Sequence, residues 1–200
     1  MTLVDSLIKD KWLKTPRIIE AFKNVKRQDF MPQDIRTLSE INEAMPIGQG
    51  QTISQPLTVA FMLEELQPKK GDKILDVGSG SGWTTALLSH IVGPEGKVIG
   101  LEIIKELKEF GEKNAAEFVK KGIAEFILGD GSLGYKKEAP YDKILVSASG
   151  SKVPAALKKQ LKIGARMVIP IKESIFTIIK KSEKDFEQIE HRGFLFVPLV

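Results

Sequence analysis

The sequence predicts a doubly wound α/β fold: a seven-stranded, mostly parallel sheet with a helical extension at its N-terminus. Three observations predict it. From Gly71 onward, short apolar runs alternate with amphipathic stretches of helical period, the pattern of a parallel sheet covered by helices. The first of those runs ends in a glycine cluster, Gly78-Ser79-Gly80-Ser81-Gly82. The last runs follow one another with no helix between them, which points to an antiparallel edge.

The elements follow in order. Leu3 to Trp12 and Arg17 to Lys26 read as two short amphipathic helices, broken at Pro16. Asp29 to Gln55 carries Pro32, Pro46, Gly48 and Gly50 and reads as irregular. So long a connector without structure of its own is often functional. A helix opens at Pro56, with Val59, Met62, Leu63 and Leu66 at the spacing of one helical face. Strands are expected at Lys73–Val77, Lys97–Leu101, Ala124–Leu128, Lys143–Ser147, Ala165–Ile171, Ser174–Lys180 and Phe194–Leu199. Helices are expected from the glycine cluster through Ile91, over Lys105 to Lys121 and around Val153–Leu161. The whole reads as one domain. Residues 1–55 form the helices and a loop, 56–171 the α/β core, and 172–200 the closing strands.

Composition narrows the chemistry. The chain of 200 residues has no cysteine, so disulfides, thiolate nucleophiles and cysteine-held metals are excluded. His90 and His191 lack metal-binding spacing, so no metal is expected and both read as structural. No apolar run is long enough to span a membrane and no secretory signal is evident. A cytoplasmic monomer with no membrane partner is the expectation. The net charge of +4 is modest. Lys158, Lys159, Lys162, Lys180, Lys181 and Lys184 cluster, but Glu173, Glu183 and Asp185 interleave with them. That mixture reads as a solvated surface, and a nucleic-acid partner is not expected.

Leu75-Asp76-Val77 leads into the glycine cluster, so strand, tight turn and helix follow directly. Glycines there allow a ligand to approach the backbone at a helix start. Glu102 ends the second strand, where a carboxylate can accept ribose hydroxyls. A dinucleotide fingerprint needs glycine at position 83, where Trp83 stands. Acidic Asp76 before the turn would repel a pyrophosphate but suits a cationic amino-acid ligand. S-adenosylmethionine carries an ammonium, a sulfonium and no phosphate. The segment resembles the signature of class I methyltransferases. In that resemblance Asp130 and Gly131, within Gly129-Asp130-Gly131, lie beside adenine.

Pro46-Ile47-Gly48-Gln49-Gly50-Gln51-Thr52-Ile53-Ser54-Gln55-Pro56 resembles a motif of the protein-L-isoaspartate O-methyltransferases, which repair isomerised aspartyl residues. Val25, Arg27, Phe30 and Pro32, then Gly134-Tyr135, Pro140-Tyr141-Asp142 and Gln160-Leu161-Lys162, also fall in that family's register, as does Phe196–Leu199. The resemblance implies S-adenosylmethionine as cofactor, isoaspartyl proteins and peptides as partners, and Ser54 as the active-site serine, with Thr52 beside it. It places Gln51, Ile53, Asp76, Gly78, Ser79, Gly80, Trp83, Glu102, Ile103, Asp130 and Gly131 around the cofactor. An ionised carboxylate needs no general base, and a neutral hydroxyl can orient it without neutralising it. The same hydroxyls could instead cap the helix that begins near Pro56. The chain departs from the family pattern at Glu40, Asn42, Ala44, Leu57, Ser147–Ser151 and Lys172-Glu173, positions around where the family takes its peptide. Two alternatives stay open: methylation of another substrate such as tRNA, and a cofactor-binding relative without catalysis.

Overall fold

The computed structural model describes residues 1–194 and 196. Two helices lead the chain, α1 (Leu3–Lys9) and α2 (Pro16–Asn24). Thr2 and Asp5 form a reciprocal capping box at the start of α1, and Pro16 opens α2 at the position where its missing N–H costs nothing. Two 3-10 turns, Arg27–Phe30 and Gln33–Leu38, follow. The segment expected to be irregular then forms a small antiparallel hairpin, β1 (Met45–Gly48) with β2 (Gln51–Ile53). Gly48, Gln49 and Gly50 all adopt positive φ at its tip. Glycine tolerates that backbone and so turns the chain.

Next come α3 (Pro56–Leu66), β3 (Lys73–Val77), α4 (Trp83–Val92), β4 (Lys97–Glu102), α5 (Lys105–Asn114), α6 (Ala116–Lys120) and β5 (Ala124–Leu128). They are followed by β6 (Tyr141–Val146), α7 (Ala155–Gln160), β7 (Leu161–Ile171), β8 (Ser174–Lys180) and β9 (Phe186–Arg192). Strands β3 to β9 make one sheet in the order β5-β4-β3-β6-β7-β8-β9. The first five pair in parallel, and β8 and β9 are added antiparallel. The doubly wound, seven-stranded expectation holds.

Among the described residues the seventh strand is one the sequence did not mark. It is Phe186–Arg192, an edge strand of sequence Phe-Glu-Gln-Ile-Glu-His-Arg that is mostly exposed. Charges along an edge strand suppress pairing with other chains, and they also hide it from a search for apolar runs. The expected strand Phe194–Leu199 lies for the most part outside the described residues. Strand β7 begins four residues earlier than expected because Lys162, Ile163 and Gly164 are exposed and break the buried pattern.

Side chains alternate across the sheet and so build two cores. Ile74 and Val98 face one side and pack with α2, α3, α4 and α5 through Ile18, Leu63, Leu87 and Leu107. Leu75, Val77, Ile99 and Leu101 face the other, where Leu157 of α7, Tyr141 and Ile178 meet them. On that second side Gln160 donates to Leu133 O and accepts from Tyr135 N, while Tyr141 Oη donates to Tyr135 O. These bonds hold the connection between β5 and β6 against the sheet and account structurally for the Gly134-Tyr135 and Gln160 motifs. No helix among the described residues is long and apolar enough to cross a membrane.

Candidate active site

Strand order reverses at β3, whose chain continues outward to β4 on one side while β6 flanks it on the other. A crevice opens beyond the carboxyl ends of strands at such a point. Here its floor is Gly78–Ser81. One wall is Leu101–Ile104 with Leu107, and the facing wall is Ile47 with Gln51–Ser54 from the hairpin. Gly131 and Ser147-Ala148 close it, and Trp83 and Thr84 line its base.

The floor is a turn that only glycine can make at this spacing. Gly78, Gly80 and Gly82 all have positive φ. Gly82 also precedes α4 directly and lies so close to α5 that an added Cβ would meet Gly111 O at 2.6 Å. The reverse also holds: a Cβ on Gly111 would meet Gly80 O at 2.7 Å. Asn114 of α5 donates to Ser81 O as well. The turn is thus clamped from outside by one helix.

Two carboxylates flank the turn. Asp76 is fully buried on the face of β3 that looks toward α4, where the hydroxyls of Thr84 and Thr85 both donate to its Oδ2 at 2.7 Å. Its Oδ1 has no partner among the described residues. Burial pushes this carboxyl up to about 6, against the two threonine hydrogen bonds, with the charge of Glu102 adding to the rise. Glu102 accepts the N–H of Gly80 on one oxygen and those of Ile103 and Ile104 on the other. These bonds orient it as an acceptor at the cleft wall, with oxygen lone pairs to spare.

The hairpin wall carries Ser54 and Thr52. Neither hydroxyl makes a hydrogen bond among the described residues, and neither caps α3. The residue before that helix is Gln55, which makes no cap bond. Instead Asn42 Oδ1 accepts the N–H of Leu57 at 2.9 Å, and Gln55 Nε2 donates back to Asn42 O. The capping alternative is thereby answered: a residue from the preceding loop does that work, and both hydroxyls are left free at the cleft. Arg27, almost fully buried, donates to Ser39 O, Ile41 O, Glu43 O and Ser54 O and lies 5.6 Å over the Trp83 ring. Burial lowers its pKa to about 10, so it stays charged at neutral pH.

The structure brings Gln51, Thr52, Ile53, Ser54, Gly78, Ser79, Gly80, Trp83, Glu102, Ile103 and Gly131 together at one cleft. Asp76 lies beneath the floor and does not line it. Asp130 stands next to Gly131, where its carboxylate accepts the N–H of Ser132. Ile47, Ile104, Leu107, Ser147 and Ala148 also line the cleft, and the sequence alone did not mark them as cofactor contacts. Ser147 arrives there because β6 runs beside β3 and Ser147 N donates to Val77 O. That adjacency is a fact of sheet order, which carries no local signal. Asn42 and Arg27 owe their roles to side-chain reach across more than ten residues, which no spacing rule reveals.

The donor set fits S-adenosylmethionine. Besides Asp76 Oδ1, the buried Ser79 Oγ, Trp83 Nε1 and Arg27 Nε lack partners among the described residues, and buried polar groups are normally satisfied. An unsatisfied carboxylate oxygen, a hydroxyl and an indole N–H around a glycine turn suit a polar, partly cationic ligand.

Comparison with known proteins agrees. The family model for protein-L-isoaspartate(D-aspartate) O-methyltransferase matches residues 1–200. A protein-L-isoaspartate O-methyltransferase of Methanopyrus kandleri is 39% identical over 99% of this chain and 89% of its own length. One of Aeropyrum pernix is 41% identical over 100% of this chain and 78% of its own. The crystal structure of a Plasmodium falciparum protein-L-isoaspartate O-methyltransferase in complex with S-adenosyl-L-homocysteine superposes with a TM-score of 0.89. It is 25% identical, over 99% of this chain and 96% of that one. With an acid-flanked glycine turn, a hydroxyl-bearing hairpin facing it and full-length relatives on both counts, the chain belongs to the protein-L-isoaspartate(D-aspartate) O-methyltransferase family.

Proposed function

We propose that this protein methylates the side-chain carboxylate of L-isoaspartyl residues in proteins and peptides, using S-adenosylmethionine. The observation that carries the reading is the pair of unengaged hydroxyls, Ser54 and Thr52, on a wall facing an acid-flanked glycine turn. Asp76 and Ser79 would hold the charged amino-acid end of the cofactor, with the backbone of Gly78 and Gly80 beneath it. Glu102 would take the ribose hydroxyls. Asp130, Gly131 and Ile103 would border the adenine, and Gln51, Ile53 and Trp83 would close around the middle. Bound there, S-adenosylmethionine supplies an electrophilic methyl group on a positively charged sulfur.

The chain's own part is alignment and exclusion of water. A substrate carboxylate is ionised at neutral pH, so no residue need remove a proton. Ser54 Oγ donates a hydrogen bond to one carboxylate oxygen and leaves the other free to attack, and Thr52 offers a second donor nearer to solvent. A cationic partner would bind the carboxylate before its charge is lost in the transition state and would raise the barrier. Arg27 avoids this because both of its terminal nitrogens are engaged by backbone carbonyls. Ile47, Ile104 and Leu107 supply the apolar screen.

A single methyltransferase domain, a cytoplasmic location and a monomeric state belong to the same reading, as does the lack of a nucleic-acid partner. The last is supported by the lysine cluster itself. Lys162 pairs with Asp142, Lys180 with Glu183 and Lys181 with Glu187, while Lys158 lies over the Phe186 ring.

The test is transfer of a radiolabelled methyl group to matched peptides carrying isoaspartate or aspartate at one position. Base-labile label on the isoaspartyl peptide alone is expected. Label on neither peptide, with intact cofactor binding, would leave a binding protein. Label on transfer RNA instead would assign another substrate.

A further inference from the structure

We propose that Arg27 is a positioning residue that clasps the two ends of the β1–β2 hairpin and thereby fixes the Ser54 hydroxyl over the glycine turn. The inference rests on the reading of Ser54 as the group that orients the substrate carboxylate.

The clasp is visible in where the guanidinium reaches. Nη1 donates to Ser39 O at 3.3 Å and Ile41 O at 3.0 Å. Nη2 donates to Glu43 O at 2.7 Å and Ser54 O at 3.3 Å. Three of these carbonyls lie on the loop leading into β1 and the fourth on the residue leaving β2. One side chain therefore joins the entry and the exit of the wall that carries Thr52 and Ser54. Its Cζ lies 5.6 Å over the ring of Trp83, which lines the base of the cleft, so the wall is referenced to the floor. The 3-10 turn Arg27–Phe30, anchored by buried Phe30, delivers the side chain.

No acid pairs with Arg27 among the described residues. A buried charge without a counter-ion is costly; four carbonyl dipoles engage its two terminal nitrogens, while the buried Nε has no partner among the described residues. That choice has a chemical sense beside a carboxylate site. A carboxylate in the clasp would cancel the charge, whereas an uncommitted guanidinium would capture the substrate. Carbonyl oxygens engage the terminal donors without doing either. The task also needs arginine: one lysine ammonium radiates three donors from a single atom and cannot span acceptors on both hairpin ends, whereas a planar fork can.

The test compares wild type with Arg27→Lys, and each of them in a Ser54→Ala background. Affinity for S-adenosylhomocysteine, read by calorimetry, is expected to stay within about twofold in Arg27→Lys. Turnover of an isoaspartyl peptide is expected to fall by roughly tenfold or more, with KM moving much less, as small misplacement of an aligning group does. In the Ser54→Ala background the same change should cost nothing further, because two residues acting through one hydroxyl are not additive.

A readout independent of turnover is amide hydrogen exchange. Residues 51–54 should exchange roughly tenfold faster in Arg27→Lys while the amides of α4 do not change. Unchanged exchange, or a full and additive loss in the Ser54→Ala background, would overturn the clasp. If the wild type methylates no isoaspartyl peptide yet exchange responds as stated, the clasp stands and the substrate assignment falls. Should Arg27→Lys unfold, Arg27→Gln carries the same readouts. Unfolding of both would overturn the proposal by making Arg27 a support of the whole domain.

Discussion

Ser54 and Asp76 do different work and should fail differently. Loss of the Ser54 hydroxyl removes one hydrogen bond to a charged group, worth about 1.5–3 kcal/mol. Ser54→Ala should therefore lower turnover by roughly ten- to a hundredfold while leaving cofactor affinity near its wild-type value, a contrast steady-state kinetics and calorimetry resolve together. Asp76 sets a pH dependence. Its carboxyl rises from an ordinary 3.8 to about 6 on folding, so the stability it contributes is full below 3.8 and is lost as pH climbs through 6. Ionised at neutral pH, it costs the ligand-free protein about 3 kcal/mol. Asp76→Asn should accordingly raise the melting temperature of the ligand-free protein by several degrees at pH 7.5 and have little effect near pH 3.5. It should weaken S-adenosylmethionine binding over the same neutral range. A lower melting temperature at pH 7.5 would refute this account. In the wild type, affinity for the cationic donor should decline as pH drops below 6. Asp76 was legible in the sequence because it ends a strand and precedes glycines. Its two threonine partners were not, since their contact is made only when α4 folds back along β3.

At the scale of elements, the informative cases are those where local preference and tertiary contact disagree. Gly111 sits inside α5, where alanine is intrinsically better by about 1 kcal/mol. The structure reverses that sign, because an added Cβ would press on Gly80 O and overpacking of this kind costs typically 1–3 kcal/mol. Gly111→Ala should melt lower than wild type and bind S-adenosylhomocysteine more weakly, since relief has to come from the turn. Asn42 gives the second case. Asn42→Ala strips α3 of its cap and should cost about 1 kcal/mol, measured by denaturant unfolding, whereas Asn42→Asp keeps the acceptor and should be close to neutral. The sequence made α3 visible through its apolar face and Pro56, but the caps it offered as an alternative, Ser54 and Thr52, are not the one used, because Asn42 reaches Leu57 N from the preceding loop. The hairpin β1–β2 was missed for a related reason: strands of four and three residues are too short for a period-two pattern to emerge between Pro46, Gly48 and Gly50.

At the scale of the whole molecule, most of the topology could be read in advance. Parallel strands buried on both faces are near-continuous apolar runs, and β3, β4 and β6 are of that type. The strand β9 is not, and its charges hid it from a search for apolar runs. Ligand binding should be felt throughout this unit, because the cleft is walled by the N-terminal hairpin and floored by the sheet. S-adenosylhomocysteine at a hundredfold excess over its Kd contributes about 2.7 kcal/mol, which for a chain of this length corresponds to a rise in melting temperature of roughly 5–10 °C. A single sharpened transition in scanning calorimetry is the expected form, and a split one would mean that hairpin and sheet melt apart. Glu102 shows how tightly recognition and architecture are joined. One of its oxygens holds the N–H of Gly80 and the other holds the N–H groups that start the chain toward α5. Anyone re-engineering this scaffold for a phosphorylated donor would first reach for that carboxylate and replace it with arginine. Doing so would release three backbone amides at once and let the loop beneath the ligand drift, so retargeting has to begin with substitute acceptors for those amides.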